Sequence, residues 1–280
     1  MKNWLKHPTY IWKTAHHKDD APILSIENLS VKYDTGMVLN NLSFDLLAKD
    51  RIAVVGPNGA GKSTLFKVIA GVLRPSSGSV QIYGHEPGGH ICISYIPQRT
   101  QVDWGFPVTV ADVVMMGRIS KLGLFRWPKA EDWELSHHAL EVVGLADLAK
   151  RQISELSGGQ QQRMFIARAL VQEAELMLMD EPLTGLDQPS KESIFAILDQ
   201  LHQQGVALLV SMHDLKLAAE HFDRIMLLKG DIIAFGPPEE VLAPDVLSKA
   251  YGGHLHLITE DGRTLAVNDS CCEGDHYALD

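Results

Sequence analysis

The sequence predicts an α/β fold, with antiparallel strands ahead of a buried parallel sheet and a block of helices inserted into it. Three observations predict this. Arg51–Val55 is a short apolar run that enters a Gly-rich turn, after which Leu65, Phe66, Ile69, Val72 and Leu73 recur at helical spacing. Residues from about 107 to 172 look mainly helical, with breaks at Trp127-Pro128 and Leu156–Gly159. From Leu176 onward strands and helices alternate, as a parallel sheet requires.

Taken in order, residues 1–21 read as an N-terminal extension, polar and basic-aromatic, ending in His16-His17-Lys18-Asp19-Asp20. Apolar residues then alternate from Ile23 to Leu46. Turn-formers at Asp34-Thr35-Gly36 and at Asn40-Asn41 interrupt them, which signals antiparallel strands. The runs Ile52–Val55 and Leu176–Met179 are apolar throughout and read as strands buried on both faces. Helices are expected over 189–204 and 214–222, with a strand at Val206–Ser211 between them and a hairpin at Ile225–Phe235 after them. A polar tail follows from Gly252.

Composition bounds what such a fold does. The 280 residues, 30.9 kDa, suit one α/β domain with an attached subdomain. A net charge of −10 disfavours non-specific binding to nucleic acid or anionic lipid. Three cysteines, Cys92, Cys271 and Cys272, make no disulfide framework and suit a reducing compartment. No segment reaches the ~18 apolar residues of a spanning helix, and Met1–Pro8 lacks the apolar core of a signal peptide.

The strongest chemical signal is Gly56-Pro57-Asn58-Gly59-Ala60-Gly61-Lys62-Ser63-Thr64, a G-x-x-x-x-G-K-S pattern between a strand and a helix. Its glycines let successive N–H groups face a phosphate, and the following helix adds its positive end. Lys62 reaches β- and γ-phosphates and the Ser63 hydroxyl suits Mg²⁺. The chain is therefore expected to bind a nucleoside triphosphate. Downstream, Leu176–Met179 runs into Asp180 and Glu181. Asp180 is expected to hold Mg²⁺ through water, and Glu181 to polarise the attacking water as general base.

Between these halves lies Leu156-Ser157-Gly158-Gly159-Gln160, followed by Gln161-Gln162-Arg163. Here the chain closely resembles the ATP-binding-cassette (ABC) ATPases, the nucleotide-binding subunits of transporters, over roughly residues 22–235. The resemblance implies a P-loop NTPase with a RecA-like parallel sheet core, an antiparallel β subdomain and an inserted α-helical subdomain at about 99–172. Residues 236–280 would form a C-terminal segment and tail. It implies that Tyr33 stacks on adenine, Gln98 links Mg²⁺ to the transporter, and His213 contacts the γ-phosphate as a switch. Asp187 would lie at a dimer seam. Ser157, Gly158, Gly159 and Gln160 would cap ATP bound by the opposite subunit, so hydrolysis would need a homodimer of cassettes with ATP and Mg²⁺.

By the same resemblance, polytopic membrane permease subunits would dock near residues 99–118, at the cytoplasmic face of the plasma (inner) membrane. An extracytoplasmic solute-binding protein would take part indirectly, and no nucleic acid is implied. The segment Val102–Pro107 and Asp180–Asp187 look like the manganese/zinc/iron importer branch, with manganese first among its metals. Leu183 and Leu186 depart from that branch, which usually has Phe and Val there. Thr109–Arg118 alone also resembles importers of iron chelates and vitamin B12. Trp104 and Phe106 read equally as plain apolar anchors on a contact surface. A DNA-repair or chromosome-structure ATPase would need a long coiled coil before Ser157, and a translation factor a second cassette. A non-catalytic assembly scaffold is disfavoured by Glu181 and His213.

The remaining features are weaker. His254, His256, Cys271, Cys272 and His276 supply soft-metal donors, but their spacing matches no structural zinc pattern and a solvated tail is expected. His16-His17 and His137-His138 read as surface residues. Trp4, Leu5, Ile11 and Trp12 among lysines could rest on a membrane, yet Pro8 breaks any helix there and a loose arm is the expectation.

Overall fold

The computed structural model describes residues 22–87, 92–122 and 127–252, with the backbone of 255–260 and 263–268. The early alternation builds two long strands, β1 (Leu24–Tyr33) and β2 (Gly36–Leu46), which turn at Asp34-Thr35. Asn40-Asn41 is not a second turn. It lies inside β2, where the register against β1 slips, and Asn28 and Asn41 take positive φ of 49° and 52°. Asparagine tolerates that left-handed conformation better than most residues, so the strand bulges and continues.

Next come β3 (Arg51–Val55), α1 (Lys62–Ile69) and β4 (Ser77–Ile82). Strand β4 joins the small antiparallel sheet in the order β2-β1-β4. After β5 (Ile93–Ile96) the helical insertion comprises α2 (Val110–Met115), α3 (Ile119–Leu122), α4 (Ala130–Val142) and α5 (Gly158–Gln172). Thr109 and Asp112 form a capping box at the start of α2. A Cβ on Gly117 would sit 2.3 Å from the Arg168 carbonyl, so glycine lets the end of α2 lie directly on α5. Arg118 ties the block further, bonding Asp132 of α4 at 2.9 Å and Glu173, which follows α5, at 3.1 Å.

The alternation then runs β6 (Leu176–Asp180), α6 (Gln188–Gln203), β7 (Ala207–Ser211), α7 (Leu215–His221), β8 (Arg224–Lys229) and β9 (Asp231–Gly236). These strands complete a six-stranded sheet in the order β5-β6-β7-β3-β8-β9, parallel except for β9. Both faces are covered. Ile52, Val54, Leu176 and Leu178 pack with α1 and the small sheet, whereas Ala53, Val55, Met177 and Met179 pack with α5 and α6. All eight are buried, which explains the uninterrupted apolar runs. The carboxyl ends of β3, β6 and β7 meet on one edge, with Val54 and Asp180 both opposite Ser211.

Packing continues past residue 235. Helices α8 (Pro238–Val241) and α9 (Pro244–Tyr251) bury Val241, Leu247 and Ala250 in the same cluster as α5 and α6. The expected polar tail also contains structure: β10 (Leu255–Glu260) and β11 (Arg263–Asn268) form an antiparallel hairpin. Leu247→Ala should lower unfolding free energy by about 2–5 kcal/mol, read as a shift in the urea midpoint. A change below ~1 kcal/mol would mean that α9 is peripheral to the fold.

Candidate active site

The phosphate loop is shaped by contact with its neighbours. Gly56 has φ 154°, and a Cβ there would lie 2.1 Å from the Leu228 carbonyl. Gly61, at φ 99°, faces Leu39 and the Val38 carbonyl of β2 in the same way, so the small sheet lies against the loop. The Gly230 N–H donates to the Ala60 carbonyl at 2.9 Å and pins the loop as well. Lys62 opens α1 and is 5% exposed; its ammonium donates to the carbonyls of Gly56 (2.8 Å) and Pro57 (3.2 Å). Burial pushes its pKa down, while the nearby Glu181 and Asp180 carboxylates pull the other way. Two carbonyl dipoles thus satisfy the ammonium inside the loop.

The acids stand where β6 ends. Asp180 is 1% exposed; its Oδ1 accepts the Ser211 hydroxyl at 2.7 Å, and its Oδ2 is buried with no hydrogen-bond partner. With Ser63 in the first turn of α1, that oxygen offers the hard donors Mg²⁺ prefers, so the residues present fit the ion. Glu181 takes φ 49°, a conformation costing roughly 1–3 kcal/mol for such a residue. Its N–H donates to Ser211 Oγ at 2.8 Å. Its carboxylate accepts from Gln98 Nε2 at 3.0 Å and from His213 Nε2. The His213 bond holds the Glu181 carboxyl below the usual carboxylate range, burial opposes this, and the charges of His213 and Lys62 add to it.

Lys62, Gln98, Asp180, Glu181 and His213 therefore form one constellation. The segment 157–160 occupies a different place. Ser157 caps α5 in a reciprocal box with Gln160. Gly158 lies against Arg99 and Leu186, and Gly159 against Ser190 of α6. Asp187 sits at the start of α6, exposed, and its side chain does not cap the helix. Tyr33 ends β1 at 41% exposure. Phe106 is 56% exposed, but Trp104 is half-buried, edge-on to Phe165 of α5. His137 and His138 are on the surface beside Glu141. His16, His17, His254, Cys271, Cys272, His276 and the N-terminal aromatics lie outside the described residues, as does the side chain of His256. Among the described residues no cluster of three or more His, Cys, Asp or Glu is placed to hold a metal.

Two residues of the site were missed from sequence. Ser211 orients both acids; the available signal was a hydroxyl at the carboxyl end of a buried strand, two residues before His213. Arg99 follows Gln98, and its Nε donates to Gln161 of α5 at 3.1 Å. Gln98, Arg99, Thr100, Val102, Trp104, Glu181 and Thr184 line an open cleft of about 380 Å³ that reaches the Glu181 carboxylate.

This arrangement defines a nucleotide-binding ATPase of the P-loop class. Residues 39–184 match the family model described as ABC transporter. The chain is 45% identical over 238 residues to the manganese transport system ATP-binding protein of Bacillus subtilis, covering 85% of this chain and 95% of that one. It is 42% identical to the zinc transport system ATP-binding protein of Treponema pallidum, covering 84% and 89%. It superposes with TM-score 0.73, at 28% identity, on the ADP conformation of an ATP-binding cassette of an ABC transporter, covering 83% of this chain and 99% of that one. The chain belongs to the ABC transporter family.

Because the Glu181 pKa is lowered from its ordinary 4.5, the stability it contributes is present above that value and lost as pH falls through the folded-state pKa. His213→Ala removes the largest cause. The variant should be less stable than the native chain at pH 7, with the gap closing below pH 4.5. Urea denaturation at pH 7 and pH 4 checks this, and a pH-independent gap would contradict it.

Proposed function

We propose that this chain is the ATP-hydrolysing subunit of an importer for a divalent metal ion, manganese first, with zinc or iron as the other cargoes. The observation that carries hydrolysis is the convergence of Gln98, Ser211 and His213 on Glu181, beside Lys62 and Asp180. In this reading ATP lies along Gly56–Thr64, with Tyr33 on the adenine, and Ser63, Gln98 and Asp180 hold Mg²⁺. The ion supplies charge neutralisation at the β- and γ-phosphates. Glu181, whose carboxyl the His213 bond holds below its ordinary pKa, accepts the proton of the attacking water. His213 keeps that carboxylate oriented and contacts the γ-phosphate. Lys62 leaves the loop carbonyls for the phosphate oxygens.

Ser157, Gly158, Gly159 and Gln160 are separated from this constellation within the chain, which supports their capping ATP bound by a second copy, with Asp187 at the seam. A homodimer of cassettes then closes on two ATP molecules. Permease subunits dock near residues 99–118, where Phe106 is exposed and the cleft beside Gln98 opens. No helix among the described residues is long and apolar enough to cross a membrane, which is consistent with a subunit held at the cytoplasmic face by those partners. The extracytoplasmic binding protein selects cargo. The metal assignment rests on relatives that serve manganese and zinc transport systems.

Glu181→Gln should bind ATP with near-native affinity while turnover falls about 10²–10⁴-fold; turnover near the native rate removes the general-base role. In cells carrying Lys62→Ala, uptake of Mn²⁺, Zn²⁺ and Fe²⁺ should show loss of one metal. Loss of none overturns the cargo assignment in favour of a chelate or vitamin importer.

A further inference from the structure

Two buried polar atoms near the end of β6 stand on one face of the sheet, and neither has a partner among the described residues. Tyr95 lies on β5 opposite Leu178 of β6, and both side chains pack in the cluster of α1 and the small sheet. Side chains alternate along a strand, so Asp180, two residues beyond Leu178, turns to that same face. The Tyr95 hydroxyl is buried with no hydrogen bond, and so is Asp180 Oδ2. Buried tyrosine hydroxyls usually find a partner, because leaving one unpaired costs free energy. Burial pushes the Tyr95 pKa up to about 12, and the charge on Asp180 adds to the rise, which puts the two groups near one another. A hydroxyl of that pKa keeps its proton and is a donor. Oδ2 is an acceptor that lacks one.

The other carboxylate oxygen of Asp180, Oδ1, already takes the Ser211 hydroxyl at 2.7 Å. Carboxylates that serve a metal are oriented by hydrogen bonds from the residues around them, and a single donor leaves such a group freer to turn. We propose that Tyr95 is a positioning residue for Mg²⁺. When ion and nucleotide are bound, its hydroxyl donates to Asp180 Oδ2 and, with Ser211 on Oδ1, fixes the orientation of the carboxylate. The two atoms are unbonded in the structure, so the bond made on loading strengthens ion binding and not the fold itself. The inference rests on the proposed Mg²⁺ role of Asp180 and adds to it the residue that holds the carboxylate in place. The contact lies within one chain and needs neither turnover nor a second copy.

The test uses Mn²⁺ as a paramagnetic substitute for Mg²⁺, its Kd read from the resonance of the free ion with the full chain saturated by ADP. Tyr95→Phe removes only the hydroxyl. It should weaken Mn²⁺ binding about tenfold or more, while the Kd for ADP in EDTA stays within about twofold of native. Without ion or nucleotide its urea midpoint should equal or exceed the native one, since no bond is lost. Native Mn²⁺ affinity in Tyr95→Phe overturns the proposal. A lowered midpoint does so too, because the hydroxyl would then serve the fold. The weakening should be the same at low and high chain concentration; one that varies with concentration arises between copies and also overturns it. Asp180→Asn separates this inference from the reading beneath it. Unchanged Mn²⁺ affinity there removes the Mg²⁺ role of Asp180, whereas weakened binding there beside native binding in Tyr95→Phe removes only the role of Tyr95.

Discussion

The Ser211 hydroxyl donates to Asp180 Oδ1 and accepts the N–H of Glu181, and these two bonds decide which way each acid faces. The register of β6 against β7, with Asp180 opposite Ser211, makes them possible. With one oxygen satisfied, Asp180 keeps its other oxygen unpaired in a buried setting, a costly state that a cation relieves. The same anchor steadies Glu181 in its left-handed conformation, from which its carboxylate reaches Gln98 and His213. Strain at one residue is offset by hydrogen bonds to three side chains from two other segments.

Charge behaves differently at this scale than across the whole chain. A net charge of −10 repels polyanions at a distance. Inside the site a buried lysine donates to the Gly56 and Pro57 carbonyls at the start of α1; burial lowers its pKa, and the acids nearby oppose that shift. Phosphate recognition is local because low-dielectric surroundings strengthen the oriented dipoles there and solvent screens the distant charges. The acidic composition is therefore compatible with a nucleotide site.

The insertion of helices at 110–172 takes the start of α5 away from the lysine loop and places it against Arg99, Leu186 and Ser190. Close approach at Gly117, Gly158 and Gly159 packs the block without side chains in the way. The start of α5 and the residues around Lys62 thereby form two separate surfaces. Residues 98 and 99 contact both, and the cleft beside them is open.

Much of this was legible beforehand because it depends on local chemistry. The apolar runs named the buried strands, the glycines and Lys62 named the phosphate loop, and the adjacent acids named the end of β6. Asn40-Asn41 misled because asparagine serves turns and bulges alike, and only pairing with β1 distinguishes them. The α9 contact and the hairpin after Gly252 were missed, since short polar-rich segments gain order from what they pack or pair against. The sequence by itself determined the strand–loop–helix motif, the pair of acids that ends β6 and the family. Tertiary structure alone decided the strand order, Ser211's bridge between the acids, and Arg99's seat on α5. Each of these joins residues far apart in the chain, and no local pattern encodes a contact whose partner is set by how strands and helices stack.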